Sequence, residues 1–152
     1  MSSTIVDAIT LFLLLAGFVI GLGAVTVIDL HGFLGRKSSY WTEATVRTHK
    51  VTKPMIWVGI LLVIVGGALF YREDPSGWIP RAHAIIAVAL VANGCFLSFG
   101  VSPFLLKRER EGRAAELLPS SWQAKIAVSL LVSDLGWWGG LFLLSYRLVT
   151  HS

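Results

Sequence analysis

The chain of 152 residues is the length of one domain, and its composition excludes an ordinary soluble protein. Apolar residues make up 55% and charged residues 14%, against about 45–50% and about 25% in soluble domains. The net charge of +4 does not indicate nucleic acid, because most Lys and Arg residues fall in two loops between apolar runs. The composition therefore predicts an all-α, polytopic membrane protein.

The first two apolar runs are each long enough to cross a bilayer. The run at about 8–30 is not preceded by the basic segment of a signal peptide, so we expect a helix that is retained. The second run, at about 54–71, begins at Pro54, a residue that suits the first turn of a helix. The polar segment 41–53 before it is predicted to form an amphipathic helix at the membrane interface.

The third and fourth runs complete a set of four predicted spans. The third lies at about 82–104, and Pro103 is expected to bend or end it. A strongly charged segment, 107–113, separates it from the fourth run at about 122–146, which carries Asp134 near its centre. Short connections between the runs favour an up-down four-helix bundle with antiparallel neighbours.

The basic residues predict how the bundle is oriented. Ten of them lie in or beside the loops 31–53 and 107–121, and three lie on the other side, Arg72, Arg81 and Arg147. The positive-inside rule places the two basic loops in the cytoplasm and both termini outside. The predicted location is a bacterial inner membrane or a plasma membrane.

Glycines on two of the runs predict close helix packing. Gly17 and Gly21 are four residues apart on the first helix, as are Gly136 and Gly140 on the fourth. In lipid, small residues of this kind allow two helix backbones to approach closely. The sequence leaves open whether they pack within one chain or between copies. The predicted partners are the lipid bilayer and further copies of the chain or a larger membrane complex.

A buried polar site is predicted around Asp134, because a carboxylate at mid-membrane costs at least about 2.5–3.5 kcal/mol. Asn93 lies at a similar depth on the third helix, and its amide is a candidate hydrogen-bond donor to Asp134. Ser133 is a further candidate partner. The site is either functional, as a proton acceptor or an anchor for a bound molecule, or a structural link between two helices.

Histidines and one aspartate form a second candidate site. Asp29 and His31 end the first helix and His49 begins the second, so the chain turn can bring them together. Two imidazoles suffice for haem iron, but the spacing matches no metal motif, and polar residues at a membrane interface are the alternative. His83 begins the third helix, and His151 lies in the tail.

The segment Trp78-Ile79-Pro80-Arg81-Ala82-His83-Ala84, with the apolar run after it, resembles the third helix of one group of families. These are the small four-helix membrane protoporphyrinogen oxidases and the copper-resistance-D-type membrane domains, whose helix count and loop sizes are similar. The resemblance implies a haem-associated redox protein with haem b as cofactor and His83 as an axial or pocket residue. The first helix here has no early histidine of the kind those families carry.

The sequence contains no recognisable catalytic motif: no glycine-rich phosphate loop, no nucleophile elbow and no metalloprotease signature. It therefore favours a non-catalytic membrane bundle that assembles with itself or with a larger complex. Two alternatives remain open. One is a haem- or quinone-linked redox protein that uses His31, His49 or His83, and the other is proton-coupled transport of a small molecule through Asp134.

Overall fold

The computed structural model describes residues 3–35 and 37–150, and every regular element within those ranges is a helix. Four long helices follow one another along the chain: α1 (Ser3–Gly35), α2 (Ser39–Phe70), α3 (Trp78–Arg110) and α4 (Ser120–Thr150). The all-helical prediction is confirmed, and each helix is long and apolar enough to cross a membrane. Arg36 and His151, which the sequence placed in a basic loop and in the tail, lie outside the described residues.

Consecutive helices run antiparallel. In the α1–α2 pair, Leu14 lies beside Gly66 and Gly21 beside Gly59, so positions advance along α1 as they retreat along α2. The α3–α4 pair is arranged likewise, because His83 contacts Gly140 whereas Asn93, further along α3, contacts the earlier residue Ser129 of α4. The first and last helices also contact each other, so that the four helices surround a common core.

Helix α2 is longer than its apolar run. It begins at Ser39, so the predicted interfacial segment 41–53 is helical and continues directly into the apolar part. Pro54 therefore lies inside the helix and not in its first turn. Because proline has no N–H, the carbonyl of Lys50 receives no helical hydrogen bond from it. A polar and an apolar half thus form one continuous helix.

Helix α3 does not end at Pro103. Its α-helical part Trp78–Cys95 passes into a π-helical turn, Phe96–Val101, and then into a second α-helical part, Ser102–Arg110. In the π-turn the N–H of Ser102 donates to the carbonyl of Leu97, five residues earlier. Pro103 cannot donate to the preceding turn, and the wider turn lies directly before it. The proline is accommodated by a change of helix type.

The predicted glycine surfaces lie between helices of the same chain. A Cβ atom at Gly17 would lie 2.8 Å from the backbone nitrogen of Val63 in α2. Gly21 faces the indole of Trp137 in α4. The glycines of α4 face different neighbours: Gly136 lies against Leu90 of α3, and Gly140 lies against Phe18 of α1. All four positions therefore allow close approach within the bundle.

The core of the bundle is centred on Trp137, whose side chain is fully buried. Its edge meets the ring of Phe18, with the ring centroids 6.1 Å apart. The remaining buried members of this cluster are aliphatic: Leu14, Val25, Ile60, Leu90 and Leu144. A second, smaller cluster of Val46, Val101 and Leu105 lies nearer the basic connections. An unfilled space remains beside both clusters, in the half of the bundle that carries the basic connections.

Ion pairs connect helices near both ends of the bundle. Arg72, just after α2, donates to Asp7 at the start of α1 over 2.7 Å, and this hydrogen bond raises the pKa of the Arg72 guanidinium. Near the opposite end, Lys50 of α2 donates to Glu109 of α3 over 2.8 Å. Both pairs are largely exposed, so they contribute little to stability.

Candidate ligand-binding site

A cavity of about 400 Å³ lies between the four helices, in the half of the bundle that carries the basic connections. We call it the chamber. Each helix contributes to its wall, for example Ile28 of α1, Val46 of α2, Leu105 of α3 and Ile126 of α4. The wall is mainly apolar. A space of this size and character suits a small organic molecule.

Two buried polar atoms in the chamber wall have no hydrogen-bond partner among the described residues. One is Oδ2 of Asp29, a residue that is 9% exposed, and the other is Nε2 of His49. A buried polar atom without a partner costs free energy and calls for an explanation, such as a bound molecule. These two atoms are the chemical feature that distinguishes the chamber from an ordinary packing gap.

Helical periodicity places the side chains of Asp29 and His49 in the chamber wall. On α1, Val25, Asp29 and Gly32 are separated by four and three residues and share one face. On α2, Thr45 and His49 are four residues apart and share a face in the same way. The sequence placed Asp29 at the interface as the end of a span. Because α1 continues to Gly35, Asp29 lies within the bundle.

Asp134 is not part of the chamber wall. It lies on the side of α4 that faces α1, between Leu130, which is close to Gly32, and Trp137, which contacts Gly21. Its carboxylate is within electrostatic range of Asp29. In the part of the chain that the structure describes, no hydrogen bond reaches Asp134.

The predicted hydrogen bond from Asn93 to Asp134 is absent from the described residues, because the Asn93 amide has other partners. It donates to the carbonyl of Ser129 over 3.0 Å and to the hydroxyl of Ser133 over 3.4 Å. The Ser129 hydroxyl donates back to Oδ1 of Asn93 over 2.6 Å. This group links α3 to α4 with its polar atoms satisfied. Sequence reasoning missed Ser129, although it lies one turn before Ser133 on the same face.

We expect Asn93 to be coupled energetically to Ser129 and not to Asp134. A double-mutant cycle of Asn93→Ala with Ser129→Ala should give a coupling energy of about 0.6 kcal/mol, the average for hydrogen bonds between helices in lipid, and no more than about 1.7 kcal/mol. The matched cycle with Asp134→Ala should give a value near zero. Unfolding in mixed micelles, followed by circular dichroism, measures both. Strong coupling to Asp134 would contradict the observed hydrogen bonds.

His83 lies at the opposite end of the bundle from the chamber, and both of its ring nitrogens are engaged. Nε2 donates to the carbonyl of Gly140 over 2.8 Å, so in the neutral ring Nδ1 accepts from the hydroxyl of Tyr71 over 3.0 Å. These bonds connect α3 to α4 and to the end of α2. Sequence reasoning missed Tyr71. As an axial haem ligand His83 would have to give up one of these two hydrogen bonds.

The other candidate ligands also do not converge. His31 donates from Nδ1 to the carbonyl of Val27 in its own helix, over 2.8 Å, and is not part of the chamber wall. Over residues 3–35 and 37–150, no group of three or more His, Cys, Asp or Glu side chains could hold a metal ion. The chamber wall therefore contains one imidazole, that of His49. The haem b hypothesis requires two imidazoles on one iron, and the chamber does not provide them.

The end of the chamber nearest the basic connections is covered by the connection between α3 and α4. Arg108, a buried arginine, donates to three carbonyls of that connection, those of Arg113, Glu116 and Leu117, over 3.2–3.5 Å. The next residue, Leu118, lines the chamber. Arg108 therefore holds the connection across the end of the chamber.

The comparisons with known proteins do not assign a function to this chain. No family model, no curated protein and no solved structure matches this chain. The resemblance of the segment around His83 to haem-associated membrane proteins thus stays a prediction. The geometry of the chamber and the chemistry of its wall are therefore the basis for assigning a function.

Proposed function

We propose that the chain is an integral membrane protein that crosses the bilayer four times and binds a lipophilic small molecule in the chamber. One observation carries this proposal. The chamber is lined by all four helices, is mainly apolar, and has in its wall Asp29 and His49, whose buried atoms Oδ2 and Nε2 have no hydrogen-bond partner among the described residues. A bound molecule with an apolar body and a polar end would satisfy both features.

The outer surface supports a membrane location. Large apolar side chains stand more than two-thirds exposed along the helices, among them Phe12, Val19, Ile85, Phe99 and Leu135. In water such a surface would aggregate, whereas lipid solvates it. Under the positive-inside rule, the loops 31–53 and 107–121 face the cytoplasm and both termini face outward.

Ligand binding has more support here than assembly with other copies. The glycines that suggested close association, Gly17, Gly21, Gly136 and Gly140, each contact another helix of the same chain. They therefore do not argue for a contact between chains. The hydrogen bonds of Asn93 are also satisfied internally. The chamber, in contrast, has polar atoms that the described residues leave unpartnered.

Within the redox hypothesis, a quinone-type molecule suits the chamber better than haem b. The chamber offers one imidazole and one carboxylate in an apolar wall, which matches a hydrogen-bonding lipophile and not iron with two axial histidines. Proton-coupled transport through Asp134 stays a prediction, because that residue lies beside the chamber wall and does not line it.

Filling the chamber tests the proposal. We expect 4-butylphenol to bind saturably, at about one molecule per chain, to the protein in lipid nanodiscs, measured by equilibrium dialysis against empty nanodiscs. Ala127→Trp, which places an indole in the chamber wall, should weaken binding at least about tenfold, an energy of about 1.4 kcal/mol. Leu131→Trp is the matched control, because Leu131 is 62% exposed one turn further along α4. Binding that does not saturate, or that both variants retain, would refute the proposal.

A further inference from the structure

We infer that the ligand is an uncharged molecule dissolved in the membrane, which reaches the chamber sideways between α1 and α4 and whose hydroxyl group forms a hydrogen bond with Asp29. This inference rests on the proposed function and names the class of its ligand. Three observations support it: where the chamber wall is open, where it is closed, and which polar side chains line it.

The chamber wall is open on one side. The lining residues that are exposed all belong to α1 and α4, namely Phe33, Ser120, Ala124 and Ala127. The lining residues of α2 and α3 are buried or half-buried. The gap between α1 and α4 is therefore a side opening. In a bundle that spans a membrane, the part of this opening beside Ala124 and Ala127, which belong to the apolar run of α4, faces lipid.

The opening is limited to this half of the bundle. Towards the other end, α1 and α4 are in close contact, since Gly21 meets Trp137 and Gly140 meets Phe18. At the level of the chamber the contact is looser, because a Cβ atom at Gly32 would lie 3.5 Å from Leu130. The end nearest the basic connections is covered by the connection that Arg108 holds. The sideways route from the lipid into the chamber is therefore more direct than a route through the covered end.

The unpartnered atoms specify the polar end of the ligand. Oδ2 of Asp29 accepts a hydrogen bond when the carboxyl group is ionised and can donate one when it is protonated. A hydroxyl group suits both states, because it has one O–H donor and two acceptor lone pairs. Nε2 of His49 either donates to those lone pairs or accepts from a second hydroxyl, according to its tautomer. A phenol or hydroquinone head group meets these requirements.

Nearby charges favour an uncharged ligand. A cation would lie near Lys53, which follows His49 by one helical turn on α2. An anion would lie near the acidic side chain of Asp29. The mainly apolar wall also disfavours any ion that does not form a well-paired contact. A neutral hydroxyl avoids each of these costs.

Three probes of similar size test the chemistry of the head group: 4-butylphenol, its methyl ether 4-butylanisole, and the cation (4-butylphenyl)trimethylammonium. In nanodiscs we expect the phenol to bind about fivefold more tightly than the ether, as the net gain from one hydrogen bond predicts. Asp29→Leu should reduce this ratio to less than about twofold. Asp29→Asn, which keeps the side-chain shape, should reduce it partly, and Asp74→Asn, at the opposite end of the bundle, should leave it unchanged.

The outcomes separate this inference from the proposed function. Equal binding of phenol and ether, or an unchanged ratio in both Asp29 variants, would overturn the inference and leave the chamber as a binding site. Tightest binding of the cation would overturn it as well. If the phenol itself does not bind saturably, the proposed function fails.

The route of access has its own test. In a chain with Gly32→Cys and Leu130→Cys, and with Cys95→Ala to remove the native thiol, a short reducible crosslinker should join α1 to α4 across the opening. We expect 4-butylphenol to exchange at least about tenfold more slowly in the linked protein, because the barrier would rise by about 1.4 kcal/mol or more. Reduction should restore the rate. Exchange that is equally fast before and after reduction would exclude the sideways route.

Discussion

Replacing Gly66 with alanine should lower the free energy of unfolding by about 3 kcal/mol, the upper end of the cost of overpacking a tight contact. A Cβ atom at this position would lie 2.7 Å from the backbone nitrogen of Leu14 and 2.9 Å from its Cα. Because these are backbone atoms, no side-chain rotation relieves the overlap. Helix α2 would have to move away from α1 along much of their shared surface.

The neighbouring glycine provides a matched control. At Gly67 the nearest atom to a new Cβ is Cδ1 of Leu14, at 3.9 Å, which is an ordinary contact. Gly67→Ala should therefore change the free energy of unfolding by less than about 1 kcal/mol, since alanine also favours the helix. Titration with a denaturing detergent, followed by circular dichroism, measures both. Similar losses in the two variants would contradict the close α1–α2 contact.

The same contact illustrates what the sequence can and cannot predict about packing. Gly17 and Gly21 were identified because a four-residue spacing on one helix is a local pattern. Their opposite residue, Gly59, was missed, although it is seven residues before Gly66 and so lies on the same face of α2. A single glycine is recognised as a contact only once the register of the two helices is known. That register depends on the packing of whole helices.

The candidate site was predictable in a similarly partial way. The depth of Asp134 along its helix can be read from the apolar run, and so it attracted attention first. Which way a side chain faces depends on how four helices are rotated about their axes, and this rotation places Asp29 and His49 on the chamber. A chamber is a property of several helices together. Sequence reasoning grouped Asp29 with His31 and His49 but had no means to detect the space between the helices.

Hydropathy predicted the number of helices better than their length. It identifies residues that lipid can solvate, whereas a helix continues as long as its backbone hydrogen bonds do. Helix α2 therefore includes the polar segment 41–53, and α3 continues past Pro103 to Arg110. These polar extensions contribute to the candidate site, because they supply His49 in the chamber wall and Arg108, which holds the connection across the end of the chamber.

Two adjacent tryptophans, one in the core and one on the outer surface, allow the same substitution to be compared at both positions. Trp137 is fully buried against Phe18 and Gly21, whereas Trp138 is 56% exposed on the outer surface. In lipid both indoles are surrounded by apolar groups, so the hydrophobic effect does not distinguish them. What distinguishes them is the cavity left by truncation, which surrounding lipid fills at Trp138 and rigid helices do not fill at Trp137.

Trp137→Ala should therefore lower the free energy of unfolding by about 3 kcal/mol, the lower end of the range for truncating a buried aromatic side chain to alanine. Trp138→Ala should lower it by less than about 1 kcal/mol. Trp137→Phe should fall between them, because it fills part of the space and removes an indole N–H that lacks a partner among the described residues. The same detergent titration measures all three. A loss at Trp138 equal to that at Trp137 would mean that lipid contact, and not packing between helices, stabilises this part of the bundle.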